Sequence, residues 1–502
     1  MPRRAIRRLM SLCLVLTLTG VLGFGGFALV TQYYFQESAP TTWSRLLQPQ
    51  LEWQREARPS LKPILDILAY FMVETDPRDQ FGVLSRSSAP ARPEDWNNDI
   101  LGPQTPVGAF SRNGTETVFV TTAEEFKAAV KTARPGNVIQ LQPGTYSFSG
   151  KSIVAGVPGT AGQPIIVRAA ELGSVQLNFS LLEGFHVTAP FWIFENLMID
   201  GVCETDARCE HAFHIVGGAV GTIVRNNWVT NFNAAIKVNG TGNQFPDDGL
   251  VASNAFFNDR PRQTSNPVTV LDIVAASNWV VRKNIISDFA KAEGDRISYG
   301  AFFKGAGENN VFEQNLVQCQ QRHYGGTRIG FSFGGGGTTR SVCRDGACPI
   351  EHRNGIVRNN IIMNCPNDVG IYVNKSAKTL IHNNALINTR GIDIRFPESD
   401  AVIVNNILDG RILARDDANQ LAKNNLQSAV EAAFLQKISF SFYADPQNGD
   451  FRLVNADGIS GFGVPLANGG LDLCDQALNS EHPDIGPVQY SPNMSCIPVI
   501  SP

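Results

Sequence analysis

Lys304, in the segment GAFFKG, and the arginines that follow it are the residues of this sequence best suited to chemistry on a charged polymer. Between Cys319 and Arg353 five arginines (Arg322, Arg328, Arg340, Arg344, Arg353) face only Asp345 and Glu351, with His323 and His352 beside them, so a +3 segment sits in a chain of net charge −4. A lysine beside other cations gives up its proton more readily, an arginine holds a carboxylate through two parallel bonds, and a histidine titrates near neutrality. Lys304, Arg328 and His352 are the expected catalytic residues. Gly334 to Gly337 do not form a phosphate loop, since no Lys-Ser/Thr follows and no helix is apparent. The pair Cys343-x4-Cys348 near His352 fits no common four-ligand zinc pattern, and no metal site is assigned.

These side chains need a scaffold, and the scaffold is written in asparagine. An Asn, usually doubled and followed by apolar residues, recurs at positions 196, 227, 254, 284, 315, 360, 384, 406 and 425. The period, mostly 20 to 30 residues, with β-type segments predicts a solenoid whose coils stack at about 4.8 Å and whose Asn amides form a ladder. Leucine-rich repeats fit poorly, because the fixed residue is Asn among Val and Ile.

A second strand precedes each Asn strand, in AFHIVG, AAIKVN, TVLDIV, GAFFKG, GFSFGG, GIYVNK and GIDIRF. Alternation of side chains predicts one outward column of His214, Lys237, Asp272, Phe302, Ser332, Tyr372 and Asp393, and a second of Asn239, Lys304, Gly334, Asn374 and Arg395. Such a ladder suits an extended acidic polymer. Lys237, Tyr372, Asn374, Asp393, Arg395 and, from the excursion that the 45-residue gap between Asn315 and Asn360 must contain, Arg340 are the expected substrate-binding residues. Asp272 and Asp393, four coils or about 19 Å apart, are too distant for the carboxylate pair of a glycoside hydrolase, which needs about 5 to 9.5 Å.

Only 18% of the residues are charged, and 46 Gly with 28 Pro favour turns and extended chain, which excludes a helical bundle. The near balance of charge argues against a nucleic-acid-binding surface. Four arginines (Arg3, Arg4, Arg7, Arg8) precede an uncharged stretch from Leu9 to Gln36. That pattern predicts a membrane anchor with the N-terminus in the cytoplasm and the body in the periplasm or outside the cell, secreted if the segment is cleaved. The expected organisation is an anchor over 1–36, a tether over 37–108 with an amphipathic helix at 61–72, a solenoid over 109–430, and C-terminal coils and cap over 431–502. Thr122 and Glu125 open a further helix in a capping-box pattern, and Pro135-Gly136 ends it. Outside the anchor eight cysteines remain. The economical pairing is Cys203 with Cys209, Cys343 with Cys348, Cys474 with Cys496, and Cys319 with Cys365, in an oxidising compartment.

The run TTAEEFKAAVKTARPGNVIQLQPGTYSFSG, followed by GTAGQPIIVRAA and FWIFENLMIDG, resembles the start of chondroitinase-B-like right-handed parallel β-helix proteins, the alginate and dermatan lyase family. The resemblance implies an all-β, right-handed parallel β-helix with an N-terminal capping helix, acting on a uronate-containing polysaccharide by β-elimination. GAFFKGAGENNVFEQNLV resembles the family's segment around its base, which places Lys304 in that role. The family's Ca2+ is held by two Glu shortly before the lysine, and here those places read Ile297 and Tyr299. Its arginine lies in a following strand, where the counterpart is Phe333 and the nearest arginine is Arg328. Two further readings accompany the lyase: a non-catalytic glycan-binding or envelope-structural β-helix, and a polysaccharide hydrolase or epimerase.

Overall fold

The computed structural model describes residues 101–103, 116–335, 338–428, 442–446, 449–466 and 469–490. All belong to one compact unit, 84–429 with 435–502. The expected anchor over 1–36, the helix at 61–72 and Cys496 lie outside the described residues. Among those described, no helix is long and apolar enough to cross a membrane.

From Thr117 to Ser428 the chain winds through three parallel sheets of twelve, ten and eleven strands, each coil giving one strand to each sheet. This is the right-handed parallel β-helix. One end is closed by α1 (Ala123–Lys131). Thr122 accepts from the Glu125 backbone N–H while the Glu125 carboxylate accepts from the Thr122 N–H, and Phe126 and Val130 are buried. The Phe126 ring meets Phe148 and Phe185 edge-on at 5.8 and 6.2 Å, so the cap seals an aromatic core that continues through Phe179, Phe194 and Phe213.

The Asn ladder runs along one turn of every coil. Asn284 is typical: its Oδ1 accepts from the backbone N–H and Nδ2 of Asn254, while its own Nδ2 donates to Val251 O, Arg282 O and Asn315 Oδ1. The same pattern links Asn315, Asn360, Asn384, Asn406 and Asn425. A turn buried between sheets would otherwise orphan these backbone groups at about 1–3 kcal/mol each. The ladder begins one coil later than the sequence suggests. Leu197, not Asn196, is level with Asn227, because the Leu197 N–H donates to Asn227 Oδ1. Asn196 belongs instead to the preceding column (Asn196, Asn226, Ser253, Lys283, Gln314, Asn359, Asn383, Asn405, Asn424), every member of which has positive φ. The doubled Asn therefore has two tasks: the first tolerates the left-handed turn and the second fills the ladder.

Beyond Ser428 the described residues add no further strand to the three sheets. The described residues hold a short antiparallel pair, Tyr443–Asp445 with Asp450–Leu453, and then a strap that returns along the left-handed column. Asn424 Nδ2 donates to Phe462 O, Asn405 Nδ2 to Val464 O, Asn359 Nδ2 to Leu471 O and Gln314 Nε2 to Asp472 O, and Lys283 pairs with Asp475.

Among the described residues disulfides join Cys203 to Cys209, Cys319 to Cys365 and Cys343 to Cys348, as the economical pairing anticipates. Cys319–Cys365 pins the base of the excursion between the strands Leu316–Gln318 and Ile361–Cys365.

Candidate functional site

The ten-stranded sheet carries the outward columns. Cα pairing runs His214 to Lys237, Lys237 to Asp272, Asp272 to Phe302, Phe302 to Ser332, Ser332 to Tyr372 and Tyr372 to Asp393. In the second column Val274 pairs with Lys304, Asn374 with Arg395 and Arg395 with Arg415. The register expected from side-chain alternation is the register of the sheet.

Lys304 ends the strand Ile297–Lys304. Its Nζ lies 4.3 Å from the centroid of the Phe302 ring, a cation over an aromatic face. Burial lowers its pKa from the ordinary lysine value; Asp272 and Glu351 raise it, and Lys237 lowers it further. Lys237 and Asp272 form an ion pair. Over the lysine stem passes the start of the glycine run. A Cβ on Gly335 would stand 3.0 Å from Lys304 Cδ, and one on Gly334, where φ is +73°, would overlap the Asn374 carbonyl oxygen. Glycine is required at Gly334 by its φ and by the neighbouring backbone, whereas a side chain at Gly335 would push against the flexible Lys304 stem. The buried Glu351 carboxylate fastens this segment by accepting from the Thr338 hydroxyl (2.5 Å), the Thr338 N–H (3.2 Å) and the Gly305 N–H (3.3 Å).

Further along, the Tyr372 hydroxyl accepts from Asn374 Nδ2 at 3.0 Å, and burial raises its pKa. Asn374 Oδ1 is buried without a hydrogen-bond partner. Asp393 is gripped by Arg415 Nε and Nη2 at 3.0 and 2.7 Å, and Arg395 Nε donates to Asp416 at 2.5 Å while its guanidinium stacks 4.5 Å from Phe396. Lys304 and Arg395 share a column three coils apart, about 14 Å.

Two expected catalytic residues are not on this face. His352 is fully buried inside the coil, its ring stacked 4.2 Å from Phe333 and its Nε2 3.1 Å from Asn310 Nδ2. Phe303 also faces it, so His352 is on the opposite side of the sheet from Lys304. Burial lowers its pKa to about 3, and it stays neutral. Arg328 is level with Ser298, six residues from Lys304 along the neighbouring strand, or up to about 20 Å. It is 1% exposed and donates to Cys319 O at 2.5 Å and Gly325 O at 3.0 Å, which makes it the brace of the 319–328 loop. Arg340 is exposed in a short turn, Arg340–Val342.

A Ca2+ ion does not fit where the family resemblance would put it. Ile297 and Tyr299, which pack with Ile329, Val369 and Tyr372, have no carboxylate to give the ion, and the neighbouring Asp295, which accepts from the Ile297 N–H at 3.0 Å, is already paired with Lys291. Residues missed in the sequence include Arg415, which the same alternation extended through RILAR would have found, and Glu351, which signals itself only through its contacts. Arg344 was counted but not placed: it holds Asp247 at 2.7 and 2.8 Å and stacks 4.5 Å from Phe245.

Residues 336–449 match the family model described as periplasmic copper-binding protein (NosD). Pectate lyase L of Dickeya chrysanthemi is 29% identical over 174 residues, 32% of this chain and 38% of that protein. Pectate lyase L of Dickeya dadantii (strain 3937) aligns to the same extent. The chain thus matches less than two thirds of the length of these relatives. Among solved structures, pectate lyase Pel9A superposes with a TM-score of 0.50 at 15% identity, covering 75% of this chain and 97% of that one. An alginate lyase from Paenibacillus sp. str. FPU-7 gives 0.37 at 17% identity, covering 62% and 95%. The chain is a right-handed parallel β-helix protein that resembles the polysaccharide lyases.

Proposed function

We propose that the outward columns bind an acidic, uronate-containing polysaccharide and that the protein cleaves it by β-elimination, with Lys304 as the base. The observation that carries this reading is Lys304 itself: a half-buried lysine with a lowered pKa, standing mid-column on a face that also presents Lys237 and Arg395. A neutral Lys304 amine takes the proton on the carbon next to the uronate carboxylate. The electron pair left behind forms the carbon–carbon double bond as the glycosidic carbon–oxygen bond breaks, and the departing oxygen is protonated. Lys237, near enough to lower the Lys304 pKa, offsets the carboxylate charge, which stabilises the carbanion-like transition state, and Arg395 binds the polymer about three coils further along. Similarity to pectate lyase L supports a polysaccharide substrate.

The body is assigned to the periplasm or the exterior, held by the N-terminal segment. Three disulfides among the described residues support an oxidising compartment.

The full-length protein, incubated with polygalacturonate, alginate and dermatan sulfate, should generate unsaturated uronate ends, followed by ultraviolet absorbance. The apolar setting of Ile297 and Tyr299 favours a second reading, a glycan-binding β-helix without catalysis. Binding to these polymers with no new absorbance would replace the lyase by that reading.

A further inference from the structure

Ahead of Lys237 the outward column holds a cluster that the lysine chemistry does not use. His186 and His214 are paired residues of adjacent strands, and Lys237 follows His214. The Glu183 carboxylate bridges the two rings, with Oε2 3.1 Å from His186 Nδ1 and Oε1 2.8 Å from His214 Nδ1. The other nitrogen of His214, Nε2, lies 2.8 Å from Asn239 Oδ1. That amide is oriented by Asn239 Nδ2, which donates to Gly240 O at 3.0 Å.

Because Asn239 presents an oxygen, His214 Nε2 carries the proton of this bond. The His214 Nδ1 lone pair is then left to act as a metal donor, 2.8 Å from Glu183 Oε1. Two imidazoles and a carboxylate, with the second nitrogen of one ring held by a neighbouring amide, form a donor set suited to a metal ion. All three donors lie within 4.8 Å of one another. Donors around a tetrahedral ion with bonds of about 2.0–2.1 Å stand roughly 3.3 Å apart, so the cluster must open by a few tenths of an ångström, which a half-exposed Glu183 allows. The His211 ring lies 5.2 Å from that of His214, and its Nδ1 is buried without a hydrogen-bond partner.

We propose that Glu183, His186 and His214 bind one divalent transition-metal ion of the zinc, copper or nickel class, with Asn239 fixing the tautomer of His214. Imidazole donors select these ions over Ca2+ and Mg2+. Three protein ligands leave a place open to solvent, beside Lys237. The cluster lies outside residues 336–449, so the copper-binding family match does not bear on it. On the functional reading above, the open place would accept an oxygen of the polymer, but metal binding itself does not depend on that reading.

The test is calorimetric titration of the full-length, chelator-treated protein with ZnCl2. One equivalent should bind. The double variant His186→Ala/His214→Ala should lose the site, Asn239→Ala should weaken it about 10- to 100-fold, and His482→Ala, at an exposed histidine, should bind as the parent does. Should the double variant not fold, X-ray absorption at the zinc edge of the parent protein decides, with scattering from two imidazoles expected. Absence of Zn2+ binding, survival of the site in the double variant, or a zinc shell without imidazole overturns the proposal. Zinc binding by a protein with no lyase activity would defeat the elimination chemistry and leave this site standing.

Discussion

Lys304 Nζ sits 4.3 Å above the ring of Phe302, two residues back on its own strand, so the ammonium is held by a face that solvates it less well than water. Burial lowers its pKa, with Asp272 opposing and Lys237 reinforcing the shift.

Activity on a polyuronate should therefore rise with pH through a value below that of an ordinary lysine, as the neutral base forms. Asp272→Asn removes an anion that favours the ammonium and should move the rise to lower pH. Lys237→Met removes a cation that disfavours it and should move the rise to higher pH. Lys304→Ala should cost at least about 100-fold in kcat. Steady-state pH profiles of the four proteins check this, and parallel shifts in both charge variants would contradict it.

Asn284→Ala should destabilise the protein by about 2–4 kcal/mol, because the Asn254 donors and the Val251 carbonyl of the neighbouring coil lose a buried partner. Asn425→Ala, at the half-exposed last rung, should cost only about 1 kcal/mol. Denaturant midpoints at constant slope give the comparison.

His352, with a pKa of about 3 in the folded chain, is neutral there throughout the range in which an unfolded histidine takes up a proton. Above pH 6.5 neither state is protonated and stability is unaffected. Below it the unfolded state gains the proton, so stability falls by about 1.4 kcal/mol per pH unit until the folded pKa is reached. His352→Gln should flatten this dependence between pH 6.5 and 4. An unchanged slope of stability against pH would show that His352 is not the group responsible.

Cys319→Ala/Cys365→Ala opens a closure between residues 46 apart. On chain entropy alone the loss is about 4 kcal/mol, read as a lowered unfolding midpoint. The parent protein treated with reductant, which also opens Cys203–Cys209 and Cys343–Cys348, should fall at least as far.

What the sequence made legible, it did so through period. The outward columns follow from alternation, and Tyr372 falls beside Asp393 as alternation requires. Where no period runs, inference failed. His352 belongs to a two-residue strand, His352–Arg353, too short to show which face is inward. Arg328 was linked to Lys304 by nearness in sequence, yet parallel strands set Lys304 beyond Phe333, at the other end from Arg328. Asn196 was misaligned by one residue because Leu197 fills the ladder position in its coil. Glu351 acts through a loop whose path no local pattern encodes.

The strap from Phe462 to Asp475 ties together the coils of Asn424, Asn405, Asn359, Gln314 and Lys283. A bare solenoid behaves as a nearest-neighbour chain, able to melt from either end one repeat at a time. Here a later stretch of chain clasps rungs laid down nearly two hundred residues earlier, as the separation of 192 between Lys283 and Asp475 records. Fraying at the C-terminal coil must first undo a clasp anchored in the middle of the stack, so this half of the molecule is wired to melt as one block.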